Sequence, residues 1–172
     1  MEYKKYYYDA VVVGSGAAGY NAICRLNGEG AKKAALVTEG RLCGTSRNTG
    51  SDKQTYYKLG LGGEFPDSVA KMAHDLFSCG SVDGDNALCV AGLSPPCFMN
   101  LCELGVEFPV NRYGEYIGYK TDHDPYERAT SAGPLTSKYM TEALERQALK
   151  SGAETFDNML ALEILKYNGS VC

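Results

Sequence analysis

The stretch Tyr8-Asp9-Ala10-Val11-Val12-Val13-Gly14-Ser15-Gly16-Ala17-Ala18-Gly19 decides the fold. Asp9 to Val13 reads as a buried strand, a short β-branched run that ends at glycine. From Ala17 to Leu26 the spacing is helical, with Ala18, Ala22 and Leu26 on one face. A second apolar run, Ala34-Ala35-Leu36-Val37, is followed by Glu39. Each part has a physical task. Gly14 permits a tight turn off the strand, Gly16 lets a diphosphate approach the backbone, and Gly19 lets the helix pack closely on the sheet. The amides of the helix N-terminus and its positive dipole end then suit phosphate. Glu39 is placed to accept hydrogen bonds from ribose hydroxyls. Strand, glycines, helix, second strand and acid occur in the order that an adenine dinucleotide requires. A glycine-rich turn without a ligand is the competing interpretation.

Bulk properties narrow the field. The chain has 172 residues, which suits one domain able to bury roughly two-thirds of its unfolded surface. A net charge of −4, with no cluster of Lys and Arg, speaks against nucleic acid as a partner. No apolar stretch is long enough to span a bilayer. Met1-Glu2-Tyr3-Lys4-Lys5 leads directly into the first strand, so we expect no signal peptide and a cytoplasmic protein. The seven cysteines contain no C-x-x-C pair and have only two histidines as companions, which argues against zinc or an iron–sulfur cluster. We expect reduced, mostly buried thiols; a redox pair such as Cys97 and Cys102 is the alternative.

Beyond the first βαβ unit, Gly40 to Gly63 reads as a polar loop. Pro66-Asp67-Ser68 starts a helix carrying Val69, Met72, Ala73, Leu76 and Phe77, which Gly80 ends. Asp83 or Asp85 caps a helix with Ala87 to Ala91 as its body, and Pro95-Pro96 starts another that closes at Gly105. Val106-Glu107-Phe108 and Tyr116-Ile117-Gly118-Tyr119 read as short extended pieces, and Asp122 to Pro134 as a polar loop. An amphipathic helix follows from Leu135 to Lys150, with Met140, Ala143, Leu144, Gln147 and Ala148 facing inward. Glu154-Thr155-Phe156 reads as a strand. Asn168-Gly169 signals a hairpin whose returning strand we expect to be missing. On that ground residues 1–172 are expected to be the N-terminal part of a longer protein.

Three places resemble the flavoprotein subunits of fumarate reductase and succinate dehydrogenase, with soluble relatives such as urocanate reductase and aspartate oxidase. They are Tyr8 to Gly19 ending with Val37-Thr38-Glu39; Gly44-Thr45-Ser46-Arg47; and Arg128-Ala129-Thr130-Ser131-Ala132-Gly133-Pro134 with Met140 to Leu144. The resemblance implies an α/β, Rossmann-like FAD-binding domain of the GR2 type, incomplete at its C-terminus. The capping substrate domain and the C-terminal FAD segment would then be absent. It implies FAD held by Gly14, Ser15, Gly16, Ala17, Ala18 and Gly19 at the diphosphate and by Glu39 at the ribose. Gly44, Thr45 and Ser46 would serve the phosphate–flavin region, with Met159 beside the adenine. Some relatives link their flavin through a histidine after the serine. Here Arg47 follows Ser46, so non-covalent FAD is expected. Many relatives also have a Gly-Gly pair where this chain has Ser51-Asp52; Asp52 and Lys53 are expected to form a solvated turn. The family's catalytic arginine and substrate clamps fall beyond Cys172, so no catalytic residue is carried over. A small carboxylate would be the substrate of the whole protein, and nothing in the chain identifies an electron-transfer partner.

The remaining polar candidates have structural interpretations. His74 falls among Met72, Ala73 and Leu76 as a packed or surface residue. His123 lies between two carboxylates that would raise its pKa, on what reads as a solvated loop. Arg128 suits a structural or cofactor-proximal contact. Tyr6, Tyr7, Tyr8, Tyr56 and Tyr57 are expected to be half-buried. Competing functions are a nucleotide-binding module without catalysis and a nicotinamide-dependent dehydrogenase. The long loop after Glu39, with Gly44-Thr45-Ser46, favours flavin over nicotinamide. The isolated residues are expected to retain FAD weakly or not at all, because an open sheet edge and exposed apolar surface favour aggregation.

Overall fold

The glycine-rich segment folds as a parallel βαβ unit. β1 (Ala10–Val13) leads into α1 (Ala17–Gly28), which returns the chain to β2 (Ala34–Val37). Ala10 lies opposite Ala34 and Val13 opposite Val37. The computed structural model describes residues 3–30, 33–62, 66–121 and 124–171. The chain divides into two units, residues 1–48 with 144–172, and residues 49–143.

In the first unit the sheet is completed by β6 (Glu154–Phe156), parallel to β2, in the order β1-β2-β6. The central strand is the apolar one: Ala35 and Leu36 are buried, as a strand paired on both sides requires. β1 is not buried throughout, contrary to expectation. It alternates, and Val11 and Val13 are exposed on the sheet face away from α1. Tyr6 and Tyr8 partly cover that face, each packing edge-on against Phe156. The inward face of α1 is also rotated from the expected one. Tyr20 and Ile23 are buried whereas Ala18 is exposed, because large side chains claim the core where small ones leave it unfilled. Near the end of the unit, β7 (Lys166–Tyr167) and β8 (Ser170–Val171) pair as a hairpin. The returning strand expected to be missing is therefore present for two residues. Asn168 and Gly169 both have positive φ, 48° and 81°, as a type I′ turn requires.

The second unit holds an antiparallel sheet of β3 (Tyr56–Tyr57), β4 (Tyr119–Thr121) and β5 (Asp124–Thr130), in the order β3-β5-β4. Two expected loops are corrected here. The Gly40–Gly63 stretch contains a helical turn, α2 (Thr45–Asn48, in the first unit), and then β3. Most of the Asp122–Pro134 stretch is β5, a strand in which the polar residues Asp124, Arg128 and Thr130 are buried. A bulge explains its composition. Tyr119 faces Ala129 while Thr121 faces Asp124, so β5 carries extra residues, and Glu127 adopts a φ of 54°. Bulges re-aim side chains, and here Arg128 turns inward. It bonds Asp67 twice at 2.8 Å, Asp75 at 3.0 Å and the Tyr57 hydroxyl at 3.2 Å. Its role is structural.

α3 (Val69–Ser78) packs on α4 (Gly84–Glu103) through Met72, Ala73, Ala87 and Ala91. Ser68 caps α3 by accepting from the Lys71 amide, and Asp83 caps α4. The two helices expected around Pro95-Pro96 are one. Proline cannot donate to the carbonyl four residues back, but the Ser94 hydroxyl donates to Ala91 O at 3.0 Å in its place. Val106 and Phe108 are buried without joining a strand. Phe98, Phe108, Tyr56 and Tyr116 form an aromatic cluster, and the amine of the buried Lys58 lies 5.0 Å from the Phe98 ring. α5 (Thr136–Lys150) passes from the second unit into the first. Its buried residues include Thr136, Thr141, Ala143, Leu144 and Ala148, whereas Gln147 is exposed.

The six described cysteines are free, and none is buried: Cys43, Cys79 and Cys89 are exposed, the others half-buried. The expectation of mostly buried thiols is corrected. Tyr6 and Tyr7 are exposed rather than half-buried. Asp52 and Lys53 form an exposed turn.

Candidate functional site

In the first unit a cavity of about 490 Å³ opens where β1 and β2 end. Eight expected residues line it: Gly14, Ser15 and Gly16 from the strand-to-helix turn, Glu39 after β2, Gly44, Thr45 and Ser46 at the start of α2, and Met159 after β6. Ala17, Ala18 and Gly19 do not line it. Sequence reasoning missed Val13, Thr38, Cys43, Leu160 and Ala161. Thr38 had a legible signal, a hydroxyl immediately before the acid; Leu160 and Ala161 follow irregular backbone and had none.

The glycines act through close approach. Gly14 has a φ of 104°, a turn that other residues resist. A side chain on Gly19 would collide with the Gly14 carbonyl oxygen, so α1 seats directly on the turn that precedes it. Gly44 meets the same turn from the other side: a Cβ there would lie 2.8 Å from Ser15 O and 3.0 Å from Gly16 N. The approach of Gly44 was not legible from spacing, because it joins segments 28 residues apart.

α1 begins at Gly16 with no side-chain cap and no acidic residue in its first turn. Its leading amides are therefore available at the positive end of a helix of 12 residues. The carboxylate of Glu39 is exposed at the cavity. The amide of Met159 donates to Thr38 O at 2.9 Å, which holds the chain after β6 against the end of β2. An amide cradle at one end and an acid at the other suit a diphosphate joined to a ribose, so the residues present fit FAD.

Arg47 stands where some relatives carry a linking histidine. Its guanidinium pairs with Glu145 on α5, and both side chains are largely buried. The Tyr20 hydroxyl also donates to Glu145, at 3.3 Å. Burial and then the neighbouring Glu145 push the Tyr20 hydroxyl pKa up to about 12, so it stays a donor. Arg47 thus joins α2 to α5. His74 is a surface residue, its side chain 75% exposed and 3.8 Å from Asp75. His123 lies outside the described residues. Among the described residues no group of His, Cys, Asp and Glu is arranged to hold a metal ion, and no helix is long and apolar enough to cross a membrane.

Comparison with known proteins agrees with this geometry. A family model described as the FAD binding domain matches residues 9–172, and the chain belongs to that family. Its cofactor is accordingly FAD. No curated protein matches the chain in sequence. Among solved structures, a variant of the E. coli quinol fumarate reductase FrdA superposes with a TM-score of 0.80 at 20% identity, over 95% of this chain and 28% of that one. Mycobacterium smegmatis Sdh1, solved in complex with UQ1, gives 0.81 at 18% identity, over 95% and 29%. A 3-ketosteroid-Δ4-(5α)-dehydrogenase from Rhodococcus jostii gives 0.70 at 16% identity, over 92% and 39%. These likenesses establish a shared fold. The chain spans under a third of the length of the first two.

Proposed function

We propose that this chain is the FAD-binding portion of a flavin-dependent oxidoreductase that transfers hydride at a C–C or C=C bond activated by a carboxylate. The observation that carries the cofactor site is the cavity between the uncapped start of α1 and Glu39. Backbone amides at the Gly14–Gly16 turn and the first turn of α1 hold the diphosphate. Glu39 accepts from the adenosine ribose, Thr45 and Ser46 donate toward the phosphate–flavin end, and Met159 flanks the adenine. FAD is held without a covalent bond. Bound FAD supplies the hydride-accepting ring; these residues set its place. The reaction class is supported by the fold shared with the fumarate reductase and succinate dehydrogenase subunits. The carboxylate-binding and proton-transferring groups, the capping domain and a further FAD segment belong to a longer protein of which residues 1–172 are the N-terminal part.

Titration of the complete parent protein, stripped of flavin, tests the cofactor site. FAD and ADP should bind, FMN and riboflavin much more weakly, and Gly16→Val should abolish FAD and ADP binding alike. FMN binding as tightly as FAD would show that the adenosine end is not what the cavity holds. A non-catalytic nucleotide-binding module is the second reading. The two part on whether the complete parent protein reduces an unsaturated carboxylate at the expense of reduced flavin.

A further inference from the structure

Ser15 and Thr38 both line the cavity, yet their hydroxyls are turned into the protein. The two residues are 3% and 5% exposed. Ser15 Oγ donates to Gly40 O at 2.9 Å, and Thr38 Oγ1 donates to Ser15 Oγ at 2.9 Å. Thr38 Oγ1 also accepts from the Gly40 amide at 3.3 Å. A hydroxyl has one proton to give, and both protons are committed inside the wall. Ser15 therefore has only its backbone to offer a phosphate.

Thr38 is joined to three walls of the cavity: the glycine-rich turn, the acidic loop and the chain around the end of β6. Its side chain reaches the glycine-rich turn through Ser15 and the acidic loop through Gly40. Its own amide donates to Phe156 O at 3.0 Å, and its carbonyl accepts from the Met159 amide. The bond from the Gly40 amide back to Thr38 Oγ1 closes a turn with Glu39 at its centre. A ligand gripped at both diphosphate and ribose needs those two grips at a set spacing, and small misplacements are costly.

We propose that Thr38 is a positioning residue: through Ser15 and Gly40 its hydroxyl sets Glu39 at a fixed distance from the diphosphate cradle, so that ribose and diphosphate are recognised together. This rests on the assignment of the cavity to FAD.

The test is a double-mutant cycle in the complete parent protein, with ADP as the probe and equilibrium titration as the readout. Thr38→Val should weaken ADP roughly tenfold, a loss comparable to one well-placed interaction. Glu39→Gln should weaken ADP in the wild-type background and have little further effect in Thr38→Val, because an acid no longer held in place has little to lose. Thr38→Ser, which keeps the hydroxyl, should restore most of the affinity. A purely structural Thr38 would lower the unfolding midpoint while leaving the two affinity losses multiplicative. Should Thr38→Val fail to fold, Ser15→Ala breaks the same bridge from its other side and should show the same non-additivity with Glu39→Gln. Unchanged ADP affinity in Thr38→Val, or an equal Glu39→Gln loss in both backgrounds, overturns the proposal and leaves the FAD site standing. A complete wild-type parent protein that binds neither ADP nor FAD overturns both.

Discussion

Arg128→Leu should destabilise the protein far more at neutral pH than in acid. The guanidinium and the Asp67 carboxylate are each 1% exposed and share two hydrogen bonds of 2.8 Å. Removing one partner of such a pair strands the other charge in a dry interior, which costs about 3–5 kcal/mol. For a domain of this length each kcal/mol moves the melting midpoint by about 2–4 °C, so the midpoint should fall by roughly 6–20 °C. The pH dependence follows from the carboxylate. Burial alone would raise the Asp67 pKa, but the bonds from Arg128 and the amides of Gly60 and Ser68 outweigh it, and the folded value lies below the ordinary one. A carboxylate depressed in this way stabilises the fold above its unfolded pKa and loses that stabilisation as pH falls through the folded value. Without Arg128 burial dominates and the carboxyl protonates more readily. The gap between wild type and variant should thus be widest near neutrality and narrow below about pH 4. Urea unfolding at a series of pH values measures it. A loss under about 1 kcal/mol at neutral pH, or a gap independent of pH, would refute the reasoning. Arg128→Lys should not rescue, since an ammonium cannot supply the two-pronged contact to Asp67.

Other expectations are as direct. Gly19→Ala should cost about 3 kcal/mol and abolish FAD binding, because its Cβ meets the Gly14 carbonyl. Gly28→Ala, whose Cβ meets no atom within 4 Å, should be neutral or stabilise the last turn of α1; similar effects of the two in thermal melts would refute the close-approach argument. Lys58→Met should stabilise by about 1 kcal/mol or more, since the amine is fully buried and, among the described residues, has no hydrogen-bond partner. Burial holds the Lys58 pKa below its ordinary value, so the penalty it relieves exists below the unfolded pKa. The gain should shrink as pH rises toward about 10, and a gain that grows with pH would contradict the assignment. Ser94→Ala should cost about 2 kcal/mol, because its hydroxyl serves both the Ala91 carbonyl and the Leu59 amide; denaturant unfolding with an unchanged midpoint would show α4 needs no such bridge.

The elements legible in the chain share a property: their periodicity and their punctuation agree. The type and order of β1, α1 and β2 were legible because a β-branched run, a glycine turn and helical spacing all point one way, whereas the exposure of one face of β1 and the inward face of α1 were not. Ser68 and Asp83 behave as helix caps where their residue types place them. The hidden elements are those whose local signal contradicts their tertiary role. β5 is polar because its arginine is satisfied by acids 61 and 53 residues away in sequence. α4 continues past two prolines because a serine replaces one lost donor.

For the cavity the division has the same cause. Residue order alone was enough to announce an amide cradle, the turn that opens it and an acid beyond the second strand, because all of these are encoded within one short, local βαβ unit. Folding in three dimensions chose what short-range patterns cannot express. It pressed Gly44 onto the Gly16 turn and turned the Ser15 hydroxyl into the protein. It also made Thr38 the junction of three walls, since such contacts depend on which distant backbones approach within hydrogen-bonding distance.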